Sequence, residues 1–223
     1  MVQMKKIALV LRGHFRSFEK CQEYWKVALE KCDYDCFFHT WDTMDANNKS
    51  WHRRYKVDSP LLDISSVEIL KQWDPNVVIE KQEFTEDEHD EIYASWTPHK
   101  SLIYRFDCLL NTLKRIDKDK YEFIIVSRYD LILNNIYFKD IQIAPSVLML
   151  GGRTCNHILG KVAASAELFL FNSSDLDKFY NPLIAANPSK YGNFEEWFNE
   201  MYLNIFTEII HKWHWEQDFN ILR

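Results

Sequence analysis

Three short stretches of the sequence gather residues suited to chemistry on charged ligands. Leu11–Glu19 reads LRGHFRSFE, Tyr34–Asp42 reads YDCFFHTWD, and Tyr121–Leu133 reads YEFIIVSRYDLIL. Arg12, Arg16 and Arg128 supply guanidinium groups that bond phosphate oxygens in pairs. Gly13 lets the backbone pass close to a ligand, or simply turns the chain. Ser17 opens a helical pattern, and a helix start offers free N–H groups and partial positive charge to an anion. Two arginines beside it make a pyrophosphate site; the alternative is a pair of surface salt bridges. In the second stretch, Asp42 can accept hydrogen bonds from a ribose or base. Trp41 can stack on a ring, and His39 and Thr40 can contact phosphate. The alternative there is a buried tryptophan with a turn-capping aspartate. In the third, Asp130 can hold a hard cation such as Mn2+ or Mg2+, which takes only one or two protein carboxylates plus phosphate. Arg128 stands two positions away, on the same side of an extended strand. It can pair with Asp130 or help neutralise phosphate.

The elements that position these residues follow from hydrophobic pattern. The run KKIALVLRG is a short branched-apolar strand closed by Gly13. From Ser17, apolar residues recur at helical steps through about Cys32, and YDCFFHTWD follows as a second strand. Strand, helix, strand is the parallel-sheet unit. Thr43–Pro60 is polar and basic, and reads as an irregular loop able to close over a ligand. Ser65–Trp73 reads as a short helix stopped by Asp74-Pro75, and NVVIEKQEF as a third strand. Thr97–Arg115 carries the longest helical pattern, with Leu102, Phe106, Leu109 and Leu113 along one face. Tyr121–Leu133 is a fourth strand, SVLMLGG a fifth and AELFLFN a sixth. Ser174–Tyr180 is helical, capped by Ser173 or Ser174. Asn193–Trp213 is expected as a terminal helix rich in aromatics. The fold class is α/β: a mostly parallel open sheet with helices on both faces, whose ligands bind outside the carboxyl ends of the strands.

Composition narrows the function classes. The 223 residues suit a single α/β domain, 1–223, with 47% apolar residues to fill a core and 15% aromatics that argue against disorder. A net charge of −6 is a poor footprint for nucleic acid. His52, Arg53, Arg54 and Lys56 make one basic patch, and Thr85–Glu91 an acidic run that reads as a solvated loop or helix start. Five cysteines without paired CxxC motifs argue against a disulfide framework and a zinc site, and reduced thiols point to the cytoplasm. No apolar stretch reaches the length of a transmembrane segment. His211 and His214 are three apart and could share a helix face, although surface or packed histidines account for them better.

The three stretches, in this order, resemble a group of bacterial and viral proteins identified as glycosyltransferases of the GT-A type. The family's forms are a strand ending in a small-residue, Arg and Ser turn, then D-x-F-x-H-T-W-D, then R-x-R-x-D-L. The resemblance spans residues 5–133. It implies a GT-A-like, Rossmann-related fold, a nucleotide-sugar donor, a glycan or lipid-linked acceptor and a divalent metal, Mn2+ or Mg2+, as in polysaccharide biosynthesis. It maps the family aspartate onto Asp130. Two positions earlier the chain has Arg128 where a fuller motif has Asp. Where the family carries an Asp before a later strand, this chain has KVAASAELFLFN, with Glu167 the nearest acid.

Residues 1–133 are then the nucleotide-sugar half and 134–223 the acceptor side with the C-terminal helix. Arg12, Gly13, Arg16, Ser17, Thr40, Trp41, Asp42 and Arg128 form the donor-binding set. Asp130 is the metal or sugar ligand. Glu167, Glu195 and Glu196 are the candidate bases for an inverting transfer, although Glu195 and Glu196 also suit a helix start. A non-catalytic nucleotide- or glycan-binding module is the rival reading. A phosphotransferase of the common ATPase kind lacks its G-x-x-x-x-G-K-[ST] loop here.

Overall fold

A computed structural model of the chain describes residues 6–15, 17–43, 61–81, 108–158, 161–185, 200–202, 205–214 and 217–221. Arg16, the loop 44–60, the acidic run, residues 97–107 of the long helical pattern, Glu195 and Glu196 lie outside them. The elements in chain order are β1 (Lys6–Arg12), α1 (Phe18–Ala28), β2 (Asp33–Trp41), α2 (Ile64–Trp73) and β3 (Val78–Glu80). Then come α3 (residues 108–113), β4 (Phe123–Arg128), β5 (Leu131–Leu133), β6 (Val147–Ile158) and β7 (Lys161–Asn172). The chain closes with α4 (Leu176–Ala185), β8 (Glu208–His214) and β9 (Phe219–Ile221).

Among the described residues, seven strands form one sheet in the order β3-β2-β1-β4-β7-β6-β8. The pairs β3–β2, β2–β1, β1–β4 and β6–β8 are parallel, while β7 runs against both its neighbours. The sheet is therefore mostly parallel, with one reversed strand. Alternation along the central strands feeds two cores. Ile7, Leu9 and Leu11 of β1 and Phe123 and Ile125 of β4 pack with Phe18 and Trp25 of α1 and Leu70 of α2. Ala8, Val10, Ile124 and Val126 pack on the opposite face with Leu109 and Leu113 of α3 and Phe179 and Leu183 of α4. Helices cover both faces, as the pattern of strands and helices predicts.

The structure corrects the sequence reading at four places. The stretch Tyr121–Leu133 is not one strand. β4 stops at Arg128, Tyr129 and Asp130 turn, and β5 leaves the main sheet to pair antiparallel with β9. Residues 208–214 are strand β8, not the end of a terminal helix, and β8 adds to β6 in parallel. Tyr202 and Phe206 do pack together on the α4 side, but Trp213 belongs to the core on the α1 side. The aromatic spacing thus spans two elements on two faces. The helix α2 begins at Ile64, because the Asp63 carboxylate accepts from Ser66 N at 2.7 Å and caps it. Ahead of α4, the Asn172 side chain, not a serine, accepts from Ser174 N at 3.0 Å and starts a single tight turn, Ser173–Asp175.

Asp74 ties three elements together. Its buried carboxylate accepts from Phe38 N of β2 at 2.7 Å and from Asn76 N at 2.9 Å. Arg115, just past α3, donates to it at 2.9 and 3.2 Å and to Phe38 O at 3.1 Å. Removing one partner of a buried, hydrogen-bonded charge pair leaves the other charge and its donors unmatched. Asp74→Ala is predicted to lower unfolding stability by about 3 kcal/mol, read from the urea midpoint. A loss below about 0.5 kcal/mol would show that Asp74 is not a structural tie.

Candidate active site at the strand ends

The parallel strands deliver their carboxyl ends side by side. Arg12 of β1 is in register with His39 of β2 and with Arg128 of β4. In-register residues of neighbouring parallel strands share a face. The alternation places all three on the α3 and α4 side, opposite α1, with Arg12 between the other two. β3 ends next to β2, with Glu80 in register with Trp41, and Asp42 N donates to Glu80 O at 2.8 Å. Because β7 runs the other way, its residue Glu167 arrives at this same end, beside Arg128.

Arg128 is the hub of the charge arrangement. Its Nε and Nη2 donate to Asp130 Oδ1 and Oδ2 at 2.5 and 2.8 Å, and Nη1 donates to Glu167 Oε2 at 3.1 Å. Burial opposes the guanidinium charge, but Glu167 and Asp130 outweigh it and hold the arginine more firmly protonated than usual. Asp130 is 1% exposed, whereas the side chains of Arg128 and Glu167 keep 21% and 25%. Burial and the nearby Asp130 charge push the Cys21 thiol of α1 up to about 12, so this thiol stays neutral. The intervening Tyr129 turns into the core among Phe15, Phe18 and Phe38, and its hydroxyl donates to His39 O at 2.9 Å.

His39 centres a second cluster, which the sequence reading found only in part. Its Nδ1 lies 2.6 Å from Cys108 Sγ of α3 and its Nε2 3.2 Å from Glu80 Oε2. Asn111 Nδ2 holds the other Glu80 oxygen at 2.9 Å. In sequence Glu80 lies within the expected third strand and Cys108 within the long helical pattern, and neither stands out as a site residue. The signal available was an acid closing a short apolar strand. Trp41 packs edge-on against the His39 ring at 5.1 Å and is buried, as is Thr40. Neither presents an open stacking or phosphate-binding surface in this arrangement.

The remaining donor-binding candidates sit at the turns after β1 and β2. Gly13 has φ +102°, a conformation that side chains rarely adopt, and a Cβ there would meet nothing within 4 Å. Ser17 precedes α1 without bonding its side chain to the helix start. Asp42 lies at the end of β2, where its carbonyl accepts from Leu62 N at 2.6 Å.

A divalent cation needs a carboxylate oxygen turned toward open space. Both oxygens of Asp130 are taken by a cationic partner, and the group is buried. Among the described residues no group of three or more His, Cys, Asp or Glu side chains is placed to hold a metal. As placed, the residues at Asp130 do not fit Mn2+ or Mg2+, because a cation there would have to displace Arg128. His211 and His214 lie on strand β8, so the helical spacing that paired them does not apply.

No protein-family model matches the chain, and no curated protein matches it. Solved structures share its layout loosely. The galactosyltransferase LgtC, in complex with donor and acceptor sugar analogs, aligns with 92% of this chain and 72% of its own at TM-score 0.45 and 10% identity. A glycosyltransferase involved in glycosylation of the major capsid of PBCV-1 aligns with 94% of this chain and 82% of its own, at TM-score 0.43 and 12% identity. The apo-form glycosyltransferase GlyE of Streptococcus pneumoniae TIGR4 aligns with 92% of this chain and 45% of its own, at TM-score 0.47 and 10% identity.

The His39 cluster makes a pH prediction. Burial pushes the imidazole below its ordinary 6.5, against the opposing pull of Glu80. The folded state therefore holds His39 neutral, while the unfolded chain takes up a proton near 6.5. Its contribution to stability is full above that value and is lost as pH falls through the window below it. The urea midpoint is expected to drop between pH 7.5 and pH 5.5, and His39→Gln is expected to flatten that slope. Identical slopes in parent and variant would contradict a neutral, buried His39.

Proposed function

We propose that this protein is a glycosyltransferase that moves a sugar from a nucleoside-diphosphate sugar to a hydroxyl of a glycan or lipid-linked acceptor. The observation that carries this reading is the row His39–Arg12–Arg128 at the carboxyl ends of three parallel strands, next to the Gly13 turn into α1. An open α/β sheet binds ligands at this end, and two guanidinium groups there suit a diphosphate. The family resemblance of the three sequence stretches adds the sugar.

In the transfer, an acceptor oxygen bonds to the anomeric carbon and the carbon–oxygen bond to the diphosphate breaks. The nucleoside diphosphate leaves with the electron pair, and the acceptor proton passes to a base. Arg12 neutralises the charge that grows on the leaving group, which is where electrostatic help lowers the barrier most, with Arg128, held by its two carboxylates, beside it. Glu167 is the strand-end carboxylate best placed to take the proton, being part-exposed and only singly bonded to Arg128 among the described contacts. Asp130 is a positioning residue: it fixes the Arg128 guanidinium through two bonds. Arg16, Glu195 and Glu196 keep their proposed roles on sequence grounds. The donor half is 1–133 and the acceptor side 134–223.

One observation favours the rival reading of a nucleotide- or glycan-binding module. Both carboxylates at the strand ends are already paired with Arg128, which leaves a base to be freed before transfer. Nucleotide-sugar turnover separates the two readings. Release of nucleoside diphosphate from a donor sugar, lost in Glu167→Gln, supports transfer; binding without release supports the module.

Arg12→Ala is predicted to weaken UDP, GDP or dTDP binding about tenfold or more, the scale of one lost charge-assisted hydrogen bond. Binding of the corresponding nucleoside should change little. Calorimetric titration reads both. An Arg12→Ala protein that binds diphosphates as the parent does would remove the strand ends as the donor site.

A further inference from the structure

Away from the strand ends, the outer face of α1 and the segment after β5 enclose an open depression of about 580 Å3. Two aromatic rings lie exposed on it: Tyr24, 41% accessible, and Tyr137, 39% accessible. Val27, 55% accessible, adds apolar surface between polar groups. The polar lining is supplied by Glu23, Asn135 and Gln217. Tyr24 stands about two turns along α1, about 10 Å from the helix start at the strand ends. The depression is therefore a separate place on the molecule.

We infer that this depression is a binding site for a neutral oligosaccharide. A pyranose ring offers a flat patch of C–H bonds to an aromatic face and a rim of hydroxyls that both donate and accept. Exposed tyrosines meet the first demand at low conformational cost, since the ring is rigid. Side-chain amides both donate and accept, and a carboxylate accepts from two hydroxyls at once, which meets the second. Charge argues for a neutral ligand. The Glu23 carboxylate is matched by Lys26 at 2.6 Å, and Lys139 lies over the Tyr137 ring at 5.2 Å, its charge facing the aromatic ring. The volume falls within the range of about 300–1,000 Å3 usual for small-molecule sites.

The walls are also held in place. β5 pairs with β9, and Asn134 N donates to Asp218 O at 2.7 Å, which joins the loop after β5 to the residues carrying Gln217. Beneath Tyr24 and Tyr137, Trp25 and Phe138 stack in the core with rings 6.3 Å apart and 11° from parallel. Each exposed tyrosine thus neighbours a buried, stacked aromatic, so the two outer rings are carried on a fixed base.

This inference does not depend on the transferase reading, since a binding module would use the same surface. The test is titration calorimetry of the full chain with maltohexaose, cellohexaose, chitohexaose and a mannohexaose. At least one is expected to bind saturably. Tyr24→Ala and Tyr137→Ala are each expected to weaken that binding tenfold or more, while Arg12→Ala leaves it unchanged. Both tyrosines are exposed, so the variants should keep the parent's urea midpoint, and that midpoint is measured alongside. No saturable binding across the four sugars, or binding that neither tyrosine variant weakens, overturns the inference. Adenosine monophosphate binding that is lost in the tyrosine variants would assign the site to nucleotides and overturn it equally. Loss of nucleoside-diphosphate binding in Arg12→Ala with intact sugar binding reports on the strand ends alone.

Discussion

A guanidinium at the tip of a buried strand has to be matched by negative charge, and the strand-end architecture depends on how Arg128 meets that demand. Only 21% of its side chain reaches solvent. Two carboxylates answer it. Asp130 comes from the same chain segment, two positions on, and Glu167 from the reversed strand β7. Asp130 reaches back to Arg128 across the turn that follows β4. Tyr129 and Asp130 turn, β5 departs to a small second sheet, and the tyrosine ring drops into the core with its hydroxyl on His39 O. The Arg128–Asp130 pair and the Tyr129 hydroxyl on His39 O both sit at this turn, where β4 ends and meets β2.

The second contribution comes from register. Because β2, β1 and β4 are parallel and aligned, His39, Arg12 and Arg128 fall in one row on one face. A shift of one residue in either pairing would turn that row to the other face. The alternating apolar residues below it set the register: Leu11 and Val10 commit to opposite cores, which leaves Arg12 only one side to occupy. Packing in the interior thus decides where charge stands at the rim. His39 is held from the same side by Cys108 and Glu80, and Asp74 with Arg115 joins β2 to the helices over it.

Much of this was legible in the sequence because it is local. The runs IALVL and FIIV are too short and too branched for helices, and the steps Phe18, Cys21, Trp25 and Ala28 repeat with helical period. The rim residues could be named because a strand's last residues are read directly from its pattern. What failed was non-local. YEFIIVSRYDLIL carries neither Gly nor Pro to mark its turn at Tyr129 and Asp130. Tyr202, Phe206 and Trp213 recur at nearly helical spacing, although Trp213 packs on the other face of the sheet from a strand. Cys108 and His39 are 69 positions apart, and no pattern within either segment announces their contact. Asp130 shows the same limit: its Arg128 partner is visible in sequence, but its burial is not.

The central claim is that the arginine row at the strand ends receives a diphosphate. A crystal structure of the chain with a bound nucleoside diphosphate tests it most directly. The account predicts the diphosphate oxygens within hydrogen-bond distance of Arg12, with Arg128 still held by Asp130. A nucleotide seated anywhere else on the protein, with the strand ends bare, would contradict it.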